Sequence, residues 1–202
     1  LFLMLIWKSS IFVFIMDETL EVSGDLILDQ VCISNKNMIR DLEQKGYGEI
    51  QNEKLFLKQF ETLYLLYTHK LILKKNKNQI NFDTYMNICQ NTNSEILTKF
   101  LIFRDLKTRG YVVKDGFGFG SDFRVYERGH FGEKGAKFLV FGLNEGQQEK
   151  MNVLQKKIDE ITQMGKEPII AVIERRGEVI YYKINKINFS ENKARLEDSF
   201  EF

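Results

Sequence analysis

Residues Arg109 to Val140 read RGYVVKDGFGFGSDFRVYERGHFGEKGAKFLV, and this stretch decides the fold of the second half of the chain. Tyr111-Val112-Val113 and Phe123-Arg124-Val125-Tyr126 are short β-branched and aromatic runs bounded by turn residues, the pattern of strands, and Phe138-Leu139-Val140 supplies a third. Gly116, Gly118 and Gly120 lie between the first two, where the backbone must turn in a space that a side chain would fill. That glycine series is no P-loop, because the following helix and the Lys-Ser/Thr pair of such a phosphate cradle are missing. The stretch reads as a strand-built site that presents an exposed tyrosine, Tyr126.

Working outward, Ile96, Phe100, Phe103 and Leu106 share one helical face, and Arg109-Gly110 ends that helix before the first strand. Strands are predicted near 111–114, 122–127, 137–142, 169–174 and 179–187, around a helix at 147–164. Asn91-Thr92-Asn93-Ser94 is rich in capping and turn residues and marks a boundary. Before it, Thr19 to Ile33 predicts a hairpin or two strands broken at Ser23-Gly24-Asp25, and Lys36 to Gln44 a short helix stopped by Gly46. A second hairpin follows from Gly48 to Leu57 with its turn at Asn52-Glu53, then helices over Phe60 to Lys70, which carries His69 as a structural residue, and over Phe82 to Gln90. The chain is therefore α+β, with an N-terminal α/β domain over 17–92 and a C-terminal domain over 93–202.

Residues 1–16, LFLMLIWKSSIFVFIM, form an apolar segment of a different kind. Lys8, Ser9 and Ser10 interrupt it, it falls short of the ~20 apolar residues that span a bilayer, and it shows no basic leader region or small-residue cleavage site. Two readings stay open: an over-extended frame in which Met4 or Met16 begins the native protein, or an added N-terminal strand.

Composition narrows the function classes. At 202 residues and 44% hydrophobic content the chain can bury ordinary cores. A net charge of +1, from 29 basic and 28 acidic residues, gives no global basic field, so any nucleic acid must be held by local clusters. Cys32 and Cys89 lie far apart without metal-ligand spacing, and two histidines add little. Two buried thiols in a cytoplasmic protein, without membrane anchorage, are expected.

Several spaced pieces carry a family resemblance. Leu106 to Lys114, then Gly116-Phe117, then Gly120-Ser121-Asp122-Phe123-Arg124-Val125-Tyr126 and the downstream Phe138-Leu139-Val140 resemble the C-terminal catalytic domain of archaeal tRNA-intron splicing endonucleases. Pro168 to Ile173 and Gly177 to Tyr182 are similar to the last two strands of that domain, and Gly46 to Ile50, Lys54 to Leu57 and Glu61 to Leu66 to the family's N-terminal domain. The resemblance implies a nuclease-like C-terminal domain with a mixed sheet flanked by helices. It also implies a precursor tRNA substrate with a bulge-helix-bulge at each intron junction, and assembly with itself or with a paralogous subunit.

In that family cleavage needs neither metal nor cofactor. The ribose 2′-oxygen attacks the adjacent phosphate and leaves a 2′,3′-cyclic phosphate and a 5′-hydroxyl. A tyrosine serves as base, a histidine as acid and a lysine as the cation that meets developing charge. By resemblance Tyr126 takes the tyrosine position and Lys166, five residues before Ala171, the lysine position. The histidine belongs three residues before Phe138, where this chain has Gly135, followed by Ala136; neither can transfer a proton. His130, in the same Gly129 to Gly135 loop, is the available substitute, and Lys134 a poorer one because an ordinary lysine holds its proton near neutral pH.

Arg124, Arg128, Lys157, Arg175 and Arg176 are the candidates for RNA contact, with Lys114 and Lys156 beside them, because guanidinium planes suit phosphates and splayed bases. Glu174-Arg175-Arg176-Gly177-Glu178 matches the loop that inserts acidic residues into a partner subunit in the family, with two arginines that depart from it. Three functions remain in view: a cleaving subunit that retains Tyr126 and Lys166, a structural subunit that has lost its acid and positions a catalytic partner, or a nuclease-like domain that binds some other nucleic acid.

Overall fold

Val22–Ile27 alternates buried and exposed residues, with Val22, Gly24 and Leu26 inward, and this strand (β1) lies inside a six-stranded sheet. The computed structural model describes residues 22–116, 120–146 and 150–184. Ser23-Gly24-Asp25, expected as a break, lies within β1. The chain reverses instead at Leu28, whose φ is 55°, and returns antiparallel as β2 (Gln30–Ile33). A Cβ on Gly24 would lie 3.2 Å from Val31 and 3.3 Å from Leu71, so this glycine marks a close approach of neighbouring strands and not a turn.

Asn35 caps α1 (Lys36–Gln44) by accepting the N–H groups of Asn37 and Met38, and the Gly46 to Gly48 loop leads into the hairpin of β3 (Glu49–Gln51) and β4 (Lys54–Leu57). The turn is at Asn52-Glu53, as predicted, with both residues left-handed. The next helix, α2 (Gln59–Tyr67), is shorter than expected: His69 lies beyond it in a turn, at φ 55°. After it comes a hairpin that the sequence did not announce, β5 (Leu71–Lys75) and β6 (Asn78–Ile80), closed by Asn76 and Lys77 at φ 51° and 69°. No glycine marks this turn, which is why the apolar Leu71-Ile72-Leu73 run offered no strand boundary. The sheet order is β3-β4-β2-β1-β5-β6, parallel between β1 and β5 and antiparallel elsewhere.

Helices α3 (Phe82–Thr92) and α4 (Ile96–Thr108) lead to the second sheet. Its strands are β7 (Val112–Asp115), β8 (Phe123–Tyr126), β9 (Phe138–Asn144), β10 (Glu167–Ile173) and β11 (Val179–Lys183), in the order β11-β10-β9-β8-β7. Helix α5 (Met151–Gln163) is the crossover between β9 and β10, the parallel pair of this mixed sheet. The expected N-terminal segment 1–16, the start of the helix at 147–149 and the strand end at 185–187 lie outside the described residues.

One apolar core runs through both sheets, from Val22 to Ile173. Phe60 of α2 meets Phe103 of α4 at 4.9 Å and Phe123 of β8 edge-on at 5.1 Å between centroids, contacts of about 0.5–1.5 kcal/mol each beyond their buried area. Leu139, Phe141 and Ile161 pack separately, on the α5 face of the second sheet. The second sheet is thus braced on one face by the N-terminal half. Among the described residues no helix is long and apolar enough to cross a membrane.

Candidate active site

Along β8, Phe123 and Val125 are buried in the common core, so Arg124 and Tyr126 point to the opposite face. Val112 pairs with Tyr126 and Lys114 with Arg124, so these four side chains share that face at the β7–β8 edge. Tyr126 is half-buried, less open than the sequence suggested, because Phe131 meets its ring edge-on at 5.0 Å between centroids and 88° between planes.

The sheet register then lines up the rest. Lys137 N–H donates to Val125 O at 3.0 Å, and Glu167 N–H donates to Lys137 O at 3.0 Å. The end of β8, the segment entering β9 and the residue before β10 therefore form one row at one end of the sheet. Tyr126 and Lys166 occupy its two sides, roughly 10 Å apart at the backbone by strand spacing, with the β9 entry between them. Gly135 lies in that entry: a Cβ placed on it would be 3.3 Å from Lys166 Nζ. Gly135, expected from the resemblance to stand where the family has its histidine, thus adjoins Lys166 and carries no side chain.

His130 is held in a tight turn, with its N–H donating to Glu127 O at 3.1 Å and its carbonyl accepting from Glu133 and Lys134 N–H at 3.2 and 3.0 Å. Its buried Nδ1 has no hydrogen-bond partner among the described residues and lies 3.9 Å from a Glu133 carboxylate oxygen. The turn thus places Phe131, the next residue, against Tyr126, and Gly135 against Lys166.

The RNA-contact candidates divide by position. Arg128, exposed just past β8, stacks its guanidinium 5.0 Å from the Tyr111 ring centroid at the Tyr126 end of the sheet. Lys157 on α5 lies 5.6 Å from the Phe141 ring centroid, and Lys156 3.9 Å from Glu160. Arg124 is committed internally, its Nε donating to Asp115 O at 3.0 Å, and Lys114 Nζ donates to Gly48 O at 2.7 Å. Arg175 and Arg176 are exposed in the turn after β10, the opposite end of that strand from Lys166, about 20 Å away along a seven-residue strand. Arg175 pairs there with Glu145 at 3.8 Å. Among the described residues no three His, Cys, Asp or Glu side chains gather as a metal site.

The tRNA intron endonuclease catalytic C-terminal domain matches residues 96–181, and the tRNA intron endonuclease N-terminal domain matches residues 22–86. A tRNA-splicing endonuclease of Methanococcus maripaludis is 32% identical over 157 residues, 77% of this chain and 89% of that protein. This chain belongs to the tRNA intron endonuclease family. Another tRNA-splicing endonuclease, from Thermococcus kodakarensis, is 32% identical over 162 residues, 80% of this chain and 95% of the relative. That of Pyrococcus horikoshii is 28% identical over 162 residues, 80% and 94% of the two chains.

In this family member the 45–48 loop, which Lys114 reaches from the Tyr126 face of the sheet, is held from within the N-terminal half by a buried carboxylate that sequence reasoning missed. Glu61 of α2 is 1% exposed and accepts Gly48 N–H with both oxygens, at 3.0 and 3.1 Å, and Lys58 N–H at 2.8 Å. Lys107 Nζ donates to Lys45 O at 3.2 Å and lies 4.2 Å from the Tyr47 ring centroid, so α2, α4 and β7 all grip the 45–48 loop. The one signal was a glutamate inside an otherwise apolar helix, FETLYLLY.

Burial pushes the Glu61 carboxyl up from 4.5 to about 7, against the pull of the Lys58 and Gly48 N–H groups and of Lys114 and Lys107. Burial likewise lowers Lys107 to about 8. The folded state holds the Glu61 proton more tightly than the unfolded chain does. This group's contribution to stability should therefore decline as pH rises from 4.5 to about 7 and stay level above. The Glu61 side-chain carboxyl ¹³C resonance should titrate near pH 7, and Glu61→Gln should erase that segment of the stability–pH profile. A carboxyl titrating near 4.5 would contradict this account.

Proposed function

We propose that this protein is a subunit of a tRNA-splicing endonuclease, cutting precursor tRNA at bulge-helix-bulge intron junctions and leaving a 2′,3′-cyclic phosphate and a 5′-hydroxyl without metal. The observation that supports this reading is the row of Tyr126, Gly135 and Lys166 along one end of the catalytic-domain sheet. Tyr126 takes the proton from the attacking 2′-hydroxyl, and the Lys166 ammonium faces the charge that develops on the phosphorus oxygens. The leaving 5′-oxygen needs a proton from an acid, and His130 is the histidine that this chain offers in the same loop.

The bare Gly135 beside Lys166 favours a second reading, that of a non-catalytic subunit in a heteromeric endonuclease. Purified protein mixed with a bulge-helix-bulge RNA, with mapping of the product ends, separates the two. Cyclic phosphate ends from the protein alone support a cleaving subunit; cutting only with a second subunit that carries tyrosine, histidine and lysine supports the structural one. Cleavage at random positions would remove both.

Assembly with itself or with a paralogous subunit fits the loop between β10 and β11, closed by Glu174 N–H to Glu178 O at 3.0 Å and by Gly177 N–H to Glu174 O at 2.8 Å. Reversing Glu174 and Glu178 to Lys should weaken assembly if the partner meets this loop with opposite charge. Sedimentation of the unaltered protein as a monomer at micromolar concentration would exclude self-assembly through the loop.

A further inference from the structure

We propose that Phe131, wedged between the N-terminal half of the chain and Tyr126, is a positioning residue that fixes the Tyr126 phenol for its part in cleavage. The inference rests on Tyr126 acting as the base, as proposed above, and adds what holds it. Phe131 meets the Tyr126 ring edge-on at 5.0 Å between centroids. On its other side lies the 45–48 loop: a Cβ on Gly46, whose φ is +79°, would collide with Val112 Cγ1 and stand 3.4 Å from Phe131 Cζ. Only glycine brings this backbone so close to the β7 edge in that conformation.

The loop is itself anchored. Glu61 holds Gly48 N–H, and Lys114 Nζ holds Gly48 O at 2.7 Å while standing 6.0 Å from the Phe131 ring centroid. A continuous set of contacts thus runs from buried Glu61 through Gly48 and Lys114 to Phe131 and on to Tyr126. A tyrosine at the last position of its strand has several staggered side-chain rotamers open to it, and a ring seated against it selects among them. A base must lie within hydrogen-bond reach of the 2′-hydroxyl, and a displacement near 1 Å costs about 100-fold in rate.

The test follows the Tyr126 ring directly, in protein labelled with ¹³C-tyrosine and assigned through Tyr126→Phe. Phe131→Ala should shift and broaden the Tyr126 ring resonances and lower kcat on a bulge-helix-bulge RNA by about 10- to 100-fold with KM unchanged. Phe131→Tyr should restore both, and Phe131→Leu, which keeps bulk without the ring, should recover them in part. Gly46→Ala, in the other half of the chain, should reproduce the Tyr126 shift. Unchanged Tyr126 resonances in Phe131→Ala, or shifted resonances with full kcat, would overturn the proposal. If the unaltered protein cuts no RNA with any partner, Tyr126 loses its role as base, while the resonances alone still decide whether Phe131 sets its position.

Discussion

In a His130→Ala background, Gly135→His should raise the rate of RNA cleavage by about 100-fold or more, the usual contribution of a positioned proton donor. The geometry admits the substitution. Gly135 is not in the left-handed region, and the atom nearest an added Cβ is Lys166 Nζ at 3.3 Å, the free end of a flexible side chain that can give way. An imidazole on that Cβ would start beside Lys166, in the segment that enters β9 between the Tyr126 and Lys166 ends of the sheet. There it could protonate the 5′-oxygen as the bond to phosphorus breaks. The His130→Ala background makes the result independent of which function the native chain has, because both readings then start without an acid.

The single variant completes the argument. If the chain cuts by itself with His130 as acid, His130→Ala alone should slow cleavage by about 100-fold. If the chain is a structural subunit, that change should do little and the native protein should already be slow. Failure of Gly135→His to recover any rate, in a protein that still folds and binds RNA, would mean that Tyr126 and Lys166 are not placed to act on one phosphate.

Much of this was legible in the sequence, for identifiable reasons. The strands of the second sheet announce themselves through β-branched and aromatic runs, and their register follows from alternation: Phe123 and Val125 inward force Arg124 and Tyr126 outward. The β5–β6 hairpin was hidden because Asn76 and Lys77 make a turn that glycine usually makes. Gly24 misled for the converse reason, as a glycine whose role is contact between strands. What no linear pattern conveys is long-range pairing. The Glu61 grip on Gly48 and the seat of Phe131 between Gly46 and Tyr126 join residues far apart in the chain, each of ordinary local appearance. His130 drew attention as a residue type, whereas the turn it occupies presents its neighbour Phe131 to Tyr126.

Lys166→Ala should lower kcat by about 100- to 1,000-fold, the scale of removing one preorganised group that meets transition-state charge, while changing RNA affinity little. The competing account of this lysine is structural. It follows the end of α5 through Gly165, at φ 68°, and its N–H donates to Ile161 O at 3.2 Å, so its charge could serve the helix C-terminus. That service is worth only about 0.3–1 kcal/mol and would appear as a small fall in melting temperature with normal cleavage. A phosphate-binding role would instead weaken ground state and transition state together, raising KM or Kd as much as it lowered the rate. Single-turnover rates and binding isotherms on the same RNA separate the three, and Lys166→Arg adds a check: it keeps the charge but replaces a compact ammonium with a planar fork, so it should recover only part of the rate. Equal losses in rate and affinity would make Lys166 a binding residue, and a normal rate with a lowered melting temperature would return it to the helix.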